Sequence, residues 1–274
     1  MFRAELLKLR TVTSTWVALA VGVIGLLVTQ VLLVTLLPAM ANGTILGDEP
    51  GLREELGAID TGSQAFQYSA LNLLGTGGSS GSIGIATIAV VALGILVGTT
   101  DYRHGGIVGT ALARPRRTPI LVGKVAATSA TAAALAVVLA AISLLVLLLL
   151  VWTTPASLAV PIVDILSSVG RGILTVVLLA LLGLGIGMLV RSQLAAFLTV
   201  GALLVGEPML QGLAQLFTGS LPTWALFLPV SLAYVGMADA PSAVLSPAIA
   251  LGALAAITAV VLTAATVTLR RRDL

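Results

Sequence analysis

Six stretches of the sequence are apolar over about 20 residues each, the length that a helix needs to cross the hydrocarbon core of a bilayer. They run over Trp16–Leu37, Ile83–Thr99, Val125–Val151, Ile173–Val190, Leu194–Phe217 and Ala248–Leu269. The strands of a transmembrane barrel would be about 10 residues long and would alternate in polarity, which these runs do not. The sequence therefore predicts an all-α membrane protein, with one six-helix transmembrane domain over residues 1–274.

The scarcity of charge excludes most soluble functions. Charged residues make up 9% of the chain, against about 25% in an ordinary soluble domain. The chain has no cysteine and a single histidine, His104, so it predicts neither thiol catalysis nor a metal site with cysteine or several histidine ligands. We expect no catalytic residue, no metal ligand and no cofactor in this chain.

The basic residues predict the orientation, because lysine and arginine favour cytoplasmic loops. With the N-terminus inside, all but two of the 14 basic residues fall in cytoplasmic segments, the exceptions being Arg53 and Arg171. Both termini are therefore predicted to be cytoplasmic in a multi-pass protein. This rule explains the net charge of +3 without a nucleic-acid partner.

The stretch 221–237 is also apolar, but Pro222 and Pro229 interrupt it. A seventh span there would move the basic residues at 270–272 to the outside, against the charge rule. We predict a re-entrant outer segment before the last span, packed on the bundle because irregular backbone at membrane depth must be buried in protein or face water.

Residues 1–12 predict an amphipathic elbow helix in the cytoplasmic interface, with Phe2, Leu6 and Leu9 on one face. A plain positively charged anchor is the alternative. The apolar run that follows is too long for a signal peptide, whose core is about 7–15 residues, so we expect the first span to be retained.

The outer loop 38–82 is acidic and ends in a glycine- and serine-rich stretch. Gly78-Ser79-Ser80-Gly81 matches the GxSG motif of rhomboid proteases. A serine nucleophile needs a histidine within hydrogen-bond reach, and His104 lies across the second predicted span, about 30 Å away. A serine protease is excluded on that geometry.

The cytoplasmic loop 101–121 is the strongest candidate for a functional site. Apolar residues before a proline predict a short helix, flanked by basic residues that contact head groups or dock a partner. The candidate docking residues are Asp101, Tyr102, Arg103, Gly105, Gly106, Arg114, Pro115, Arg116 and Arg117.

The order of residues in this loop resembles permeases of the type 2 ABC exporter family, whose loop commonly reads E…G…LL..P..R….K. Asp101 stands where glutamate is usual, and Ala111-Leu112, Pro115 and Lys124 occupy later positions of the pattern. The opening ELLKLR, Glu5–Arg10, is similar to the start of that family.

The resemblance implies a permease subunit in a bacterial plasma membrane, with the loop resting in a groove of a separate ABC ATP-binding subunit. A second permease chain would complete a homodimer or heterodimer. The sequence contains no G-x-x-x-x-G-K-[ST] motif, so ATP and Mg are expected only on the partner ATPase. The resemblance implies export, and the apolar spans favour a hydrophobic or amphipathic substrate; peptide antibiotic, drug and lipid all stay open.

Intramembrane polar residues form a second candidate site. Glu207 is the one ionisable residue well inside a predicted span, and Gln211 and Gln215 follow on the same helix face. Gln30 lies at a similar depth in the first span. We hypothesise a Gln30–Glu207 hydrogen bond, because the resembled family pairs the first span of one protomer with the fifth of the other. The alternative is that Glu207 and Pro208 begin a helix break near the outer surface.

Two pairs of glycines, Gly94/Gly98 and Gly183/Gly187, have the GxxxG spacing that predicts close helix packing. Other functions stay open from sequence: a secondary carrier that needs no ATPase, or a membrane scaffold. An intramembrane enzyme lacks paired catalytic groups.

Overall fold

The computed structural model describes residues 2–43, 59–75, 83–103, 118–154, 157–237 and 245–271, and the description below refers to these ranges. They contain helices and no strand, as predicted. The helices are α1 (Phe2–Thr11), α2 (Thr13–Ala41), α3 (Gln64–Ala70), α4 (Ile85–Arg103), α5 (Thr118–Thr153), α6 (Ile162–Val190), α7 (Gln193–Thr218), α8 (Pro229–Met237) and α9 (Pro247–Arg271).

Five of these helices, α2, α5, α6, α7 and α9, are long and apolar enough to cross a membrane. The apolar part of α4 is shorter, Ile85–Thr100. The 19 residues of α4 extend about 28 Å, close to the thickness of the hydrocarbon core, and α4 packs against α2 and α6. The described chain is thus a multi-pass helical bundle with five candidate spans, and α4 coincides with the remaining predicted span.

Two spans begin earlier than predicted. Helix α5 starts at Thr118 instead of Val125, and α6 starts at Ile162 instead of Ile173. Polar residues interrupt the apolar runs there, and hydropathy alone ends a span at such residues. A polar residue lowers the hydropathy of a stretch without breaking its backbone hydrogen bonds, so the helix continues through it. In α6, Asp164 lies in the first turn, where a negative charge interacts favourably with the helix N-terminus.

Helix α6 is the centre of the bundle and contacts α4, α5, α7, α8 and α9. In its most apolar window 61% of residues are buried, against 22% in α7 and α9. The α4–α6 contact uses both predicted glycine pairs. A Cβ on Gly94 would lie 1.9 Å from the Ala180 carbonyl oxygen, and one on Gly183 would lie 2.3 Å from that of Val91. Only glycine permits this approach of the two backbones.

The two ends of the bundle differ. Helix α1 lies where α4 ends and α5 begins, which we call the basal end and which is the end predicted to be cytoplasmic. The short helices α3 and α8 pack at the opposite, distal end. Helix α8 has 9 residues, about 14 Å of length, so it cannot span a bilayer.

Candidate functional site

A buried ion pair joins α1 to the bundle at the basal end. The Lys124 ammonium lies 3.6 Å from a carboxylate oxygen of Glu5, and the two side chains are 5% and 10% exposed, respectively. The same ammonium donates a hydrogen bond to the carbonyl oxygen of Val97 at 3.2 Å. Lys124 therefore connects α1, α4 and α5 at one point.

Apolar packing surrounds this ion pair. Leu9, one turn after Glu5, is 6% exposed and packs in a cluster with Val97, Leu121 and Met188. Phe2, which is predicted on the same apolar face as Leu9, is 42% exposed, so that face is buried only in part. The buried face of α1 carries a carboxylate as well as leucine, which is tolerated because a cation from another helix meets it.

Lys8 adds a second cation beside the ion pair. It lines a small cleft with Val12 and Thr100. Burial lowers the pKa of Lys8 below its ordinary value of 10.5, and the nearby Lys124 ammonium lowers it further, while Glu5 opposes both effects. The cleft thus brings the Lys8 ammonium close to the Glu5 carboxylate, which partly offsets the cost of its burial.

We call the contact among Glu5, Lys124 and Val97 the basal joint. The predicted docking loop connects the two helices, α4 and α5, that meet there. Asp101, Tyr102 and Arg103 form the last residues of α4, and α5 resumes at Thr118. The other candidate docking residues lie outside the described residues, namely Gly105, Gly106, Arg114, Pro115, Arg116 and Arg117. Lys124, which anchors α1, therefore follows this loop by less than two turns of α5.

Glu207 holds the outer segment that follows α7. Its carboxylate accepts hydrogen bonds from the Val230 N–H at 2.9 Å, from the Ser231 N–H at 2.6 Å and from the Ser231 hydroxyl at 2.8 Å. These N–H groups belong to the first turn of α8, where a carboxylate is favourable. The alternative of a helix break is wrong, because α7 continues through Pro208 to Thr218 and Glu207 is 6% exposed.

Gln211 acts on the same segment. Its amide donates to the carbonyl oxygen of Ala225 at 3.1 Å and to the hydroxyl of Ser231. The shared face predicted for Glu207 and Gln211 is therefore confirmed, whereas Gln215 is exposed. The polar residues of α7 dock the segment 223–237 onto the bundle.

Gln30 binds a different distal segment. Its amide donates to the carbonyl oxygen of Ala70 at 2.9 Å and contacts the Ser143 hydroxyl at 3.4 Å. The hypothesised bond between Gln30 and Glu207 would join two protomers and stays a prediction; within the chain each side chain bonds another group. In both cases an intramembrane polar side chain satisfies groups of a short segment at the distal end, as the backbone of such a segment requires.

Sequence reasoning missed the partnership of Glu5 and Lys124. The available signal was their opposite charge, together with their place in the two short stretches that resemble one family. Among the described residues there is no group of three or more histidine, cysteine or acidic side chains that could hold a metal ion. No protein-family model matches the sequence, and no curated protein matches it either.

Proposed function

We propose that this chain is the membrane-spanning permease subunit of an ATP-driven ABC exporter, with a hydrophobic or amphipathic substrate. The observation that carries the proposal is the buried Glu5–Lys124 ion pair. Glu5 opens the ELLKLR stretch and Lys124 ends the loop pattern, so the two separate stretches of the family resemblance meet in one contact.

The proposed arrangement has six spans, with α4 as the second and with both termini in the cytoplasm of a bacterial cell. Helix α1 is the elbow helix in the interface. Its exposed face carries Arg3, Leu7 and Arg10, and cations beside apolar residues suit the boundary between head groups and acyl chains. Trp16 donates its indole N–H to the carbonyl oxygen of Arg10 at 2.8 Å and fixes α1 to the first span.

Coupling follows from the basal joint. In the proposed complex the ATPase binds the loop 101–121, with Arg114, Arg116 and Arg117 as docking residues. When that loop moves, it moves the start of α5, where Lys124 is bonded to α1 and α4. Separating the buried Glu5–Lys124 pair costs free energy in an apolar environment, so the three helices are proposed to move together.

ATP and Mg belong to the partner subunit in this proposal, and the permease chain contributes docking, coupling and the path through the membrane. Two permease chains form the transmembrane unit. The described intramembrane polar residues do not favour an ion-coupled carrier, because Gln30, Glu207 and Gln211 bond to the distal segments of their own chain.

The experiment is a pull-down with a candidate ABC ATP-binding subunit, sought first in the neighbouring reading frames. Arg116→Glu with Arg117→Glu should abolish association, because it reverses two charges in the docking loop. Arg270→Glu with Arg271→Glu is the matched control, since it makes the same charge change on the same predicted side of the membrane. Equal retention of the ATPase by both double variants would refute the docking role.

A further inference from the structure

The stretch 63–75 enters the distal end of the bundle. It contains α3 and then non-helical residues up to Gly75. Ala70, Leu71, Leu73 and Leu74 are each 1% exposed or less. Such burial is unusual for a connection between two spans, since loops ordinarily run over the surface.

The inner part of this stretch is seated among three helices. Gln30 donates to the Ala70 carbonyl oxygen, and Gln30 lies about 26 Å along α2 from its start. A Cβ on Gly172 of α6 would lie 3.0 Å from a methyl carbon of Leu73. A Cβ on Gly84, just before α4, would lie 1.8 Å from the Leu74 carbonyl oxygen. The backbone therefore fits a seat that glycines keep open.

The outer part is held at the rim by the connection between α5 and α6. The amide of Gln67, which is completely buried, donates to the Ser157 carbonyl oxygen at 2.9 Å and accepts from the Ala159 N–H at 2.9 Å. Tyr68 donates its hydroxyl to Asp164 at 3.3 Å. These contacts are polar and specific, so they fix the position of the stretch.

Two features of the inner seat suit a contact that opens. The Gln30 amide oxygen is buried without a hydrogen-bond partner among the described residues, so the closed arrangement leaves one acceptor unsatisfied. Immediately after Gln30, α2 changes to a π-helix over Val31–Leu36. Short π segments interrupt the regular hydrogen-bond ladder of a helix and are frequent at functional sites.

We propose that residues 63–75 form a distal plug that closes the outer mouth of the bundle and withdraws during export, with Gln30 as its inner latch and Gln67 as its rim latch. The withdrawal during export rests on the proposed function, whereas the latch does not. The plug explains why Gln30, far inside the first span, bonds to a residue of the outer loop.

The latch is tested by thiol labelling, because the chain has no native cysteine. Leu73→Cys reports on the plug, and Leu232→Cys is a matched control, since Leu232 is also fully buried at the distal end but belongs to α8. Both single-cysteine proteins are purified in lipid nanodiscs and treated with a maleimide. Gln30→Met removes the latch and keeps the length of the side chain.

Gln30→Met should raise the labelling rate of Leu73→Cys about 2- to 12-fold, the factor by which loss of one neutral hydrogen bond shifts an opening equilibrium. The rate for Leu232→Cys should not change. An unchanged rate at Leu73→Cys would overturn the latch, and an equal rise at both cysteines would overturn it too, because it would indicate general loosening of the distal end.

Withdrawal of the plug during export is tested with the ATPase bound. ATP turnover should accelerate labelling of Leu73→Cys and leave that of Leu232→Cys unchanged. If the ATPase associates and turns over without this acceleration, withdrawal of the plug is wrong. If no ATPase associates, the proposed function fails, and the Gln30→Met result alone decides whether residues 63–75 are latched.

Discussion

Replacing Glu5 by Gln should release α1 from the basal end of the bundle. The variant removes a carboxylate that lies 3.6 Å from the buried Lys124 ammonium and so removes the charge interaction between α1 and α5. Because α1 is attached to the bundle through Leu9 and this pair, the loss is expected to act first on the docking of α1 and only then on the whole fold.

The magnitude follows from the burial of the pair. Side chains that are 5% and 10% exposed belong to the regime in which removing one partner costs about 3–5 kcal/mol. Coulomb's law at this distance, with an effective dielectric constant of about 20, gives a gross attraction of about 4.6 kcal/mol before the desolvation of the two groups is subtracted. Replacing both partners by apolar residues should be nearly neutral, so Glu5→Leu with Lys124→Met should recover most of the loss.

The assay is trypsin cleavage after Lys8 and Arg10, which requires α1 to leave its helical, docked state. Glu5→Gln should accelerate cleavage about 100-fold or more, the factor equivalent to 3 kcal/mol. Arg3→Gln is the control, because Arg3 is exposed on the same helix. Cleavage of Glu5→Gln at the control rate would refute the reasoning, and so would a double variant whose loss equals the sum of the two single losses.

Three further predictions concern packing, the outer segment and ionisation. Gly94→Ala should lower the free energy of unfolding by about 3 kcal/mol through overpacking. Gly201→Ala is the control and should be neutral or stabilising, because nothing lies within 4 Å of its Cβ position. Equal denaturation midpoints for the two variants would contradict the close α4–α6 contact. Glu207→Leu should cost about 3 kcal/mol from lost charge-assisted hydrogen bonds and expose the segment 223–237 to proteolysis, and an unchanged digestion pattern would count against its anchoring role. Lys8 has a lowered pKa, so the folded state loses this proton before the unfolded chain does, and the contribution of Lys8 to stability rises with pH from the lowered pKa to 10.5. Glu5→Gln should raise the pKa of Lys8 towards 10.5, because release of α1 removes the burial that is the main cause of the lowered value; NMR titration of methylated lysines measures this pKa, and an unchanged or further lowered value would show that α1 stays docked.

The spans could be predicted because bilayer thickness imposes a length on any apolar helix. Their ends could not, because polar residues such as Asp164 end an apolar run without ending the helix. Helix α3 was not predicted at all. It is short, and side-chain contacts such as those of Gln67 with the connection between α5 and α6 hold it in place. Such long-range contacts cannot be predicted from the local sequence.

The candidate residues could be found by their rarity, but their partners could not. Glu207 and Gln30 stand out as polar residues within apolar runs. Similar depth and the family resemblance suggested a bond between them across two protomers, which stays a prediction; the partners within the chain, supplied by the segments 63–75 and 223–237, were not foreseen. Depth gives one coordinate only, and the direction in which a side chain points depends on packing.

ATP hydrolysis by the reconstituted complex tests the proposed coupling most directly. The chain and its candidate ATPase are assembled in nanodiscs, with either Glu5 or the Glu5→Gln variant, and the rate is compared with that of the ATPase alone. We predict that both chains bind the ATPase through the loop 101–121, that the wild-type chain changes its hydrolysis rate, and that Glu5→Gln abolishes this change. Failure of the wild-type chain to bind any ATPase, or an equal effect of both chains on hydrolysis, would contradict a permease coupled through the Glu5–Lys124 joint.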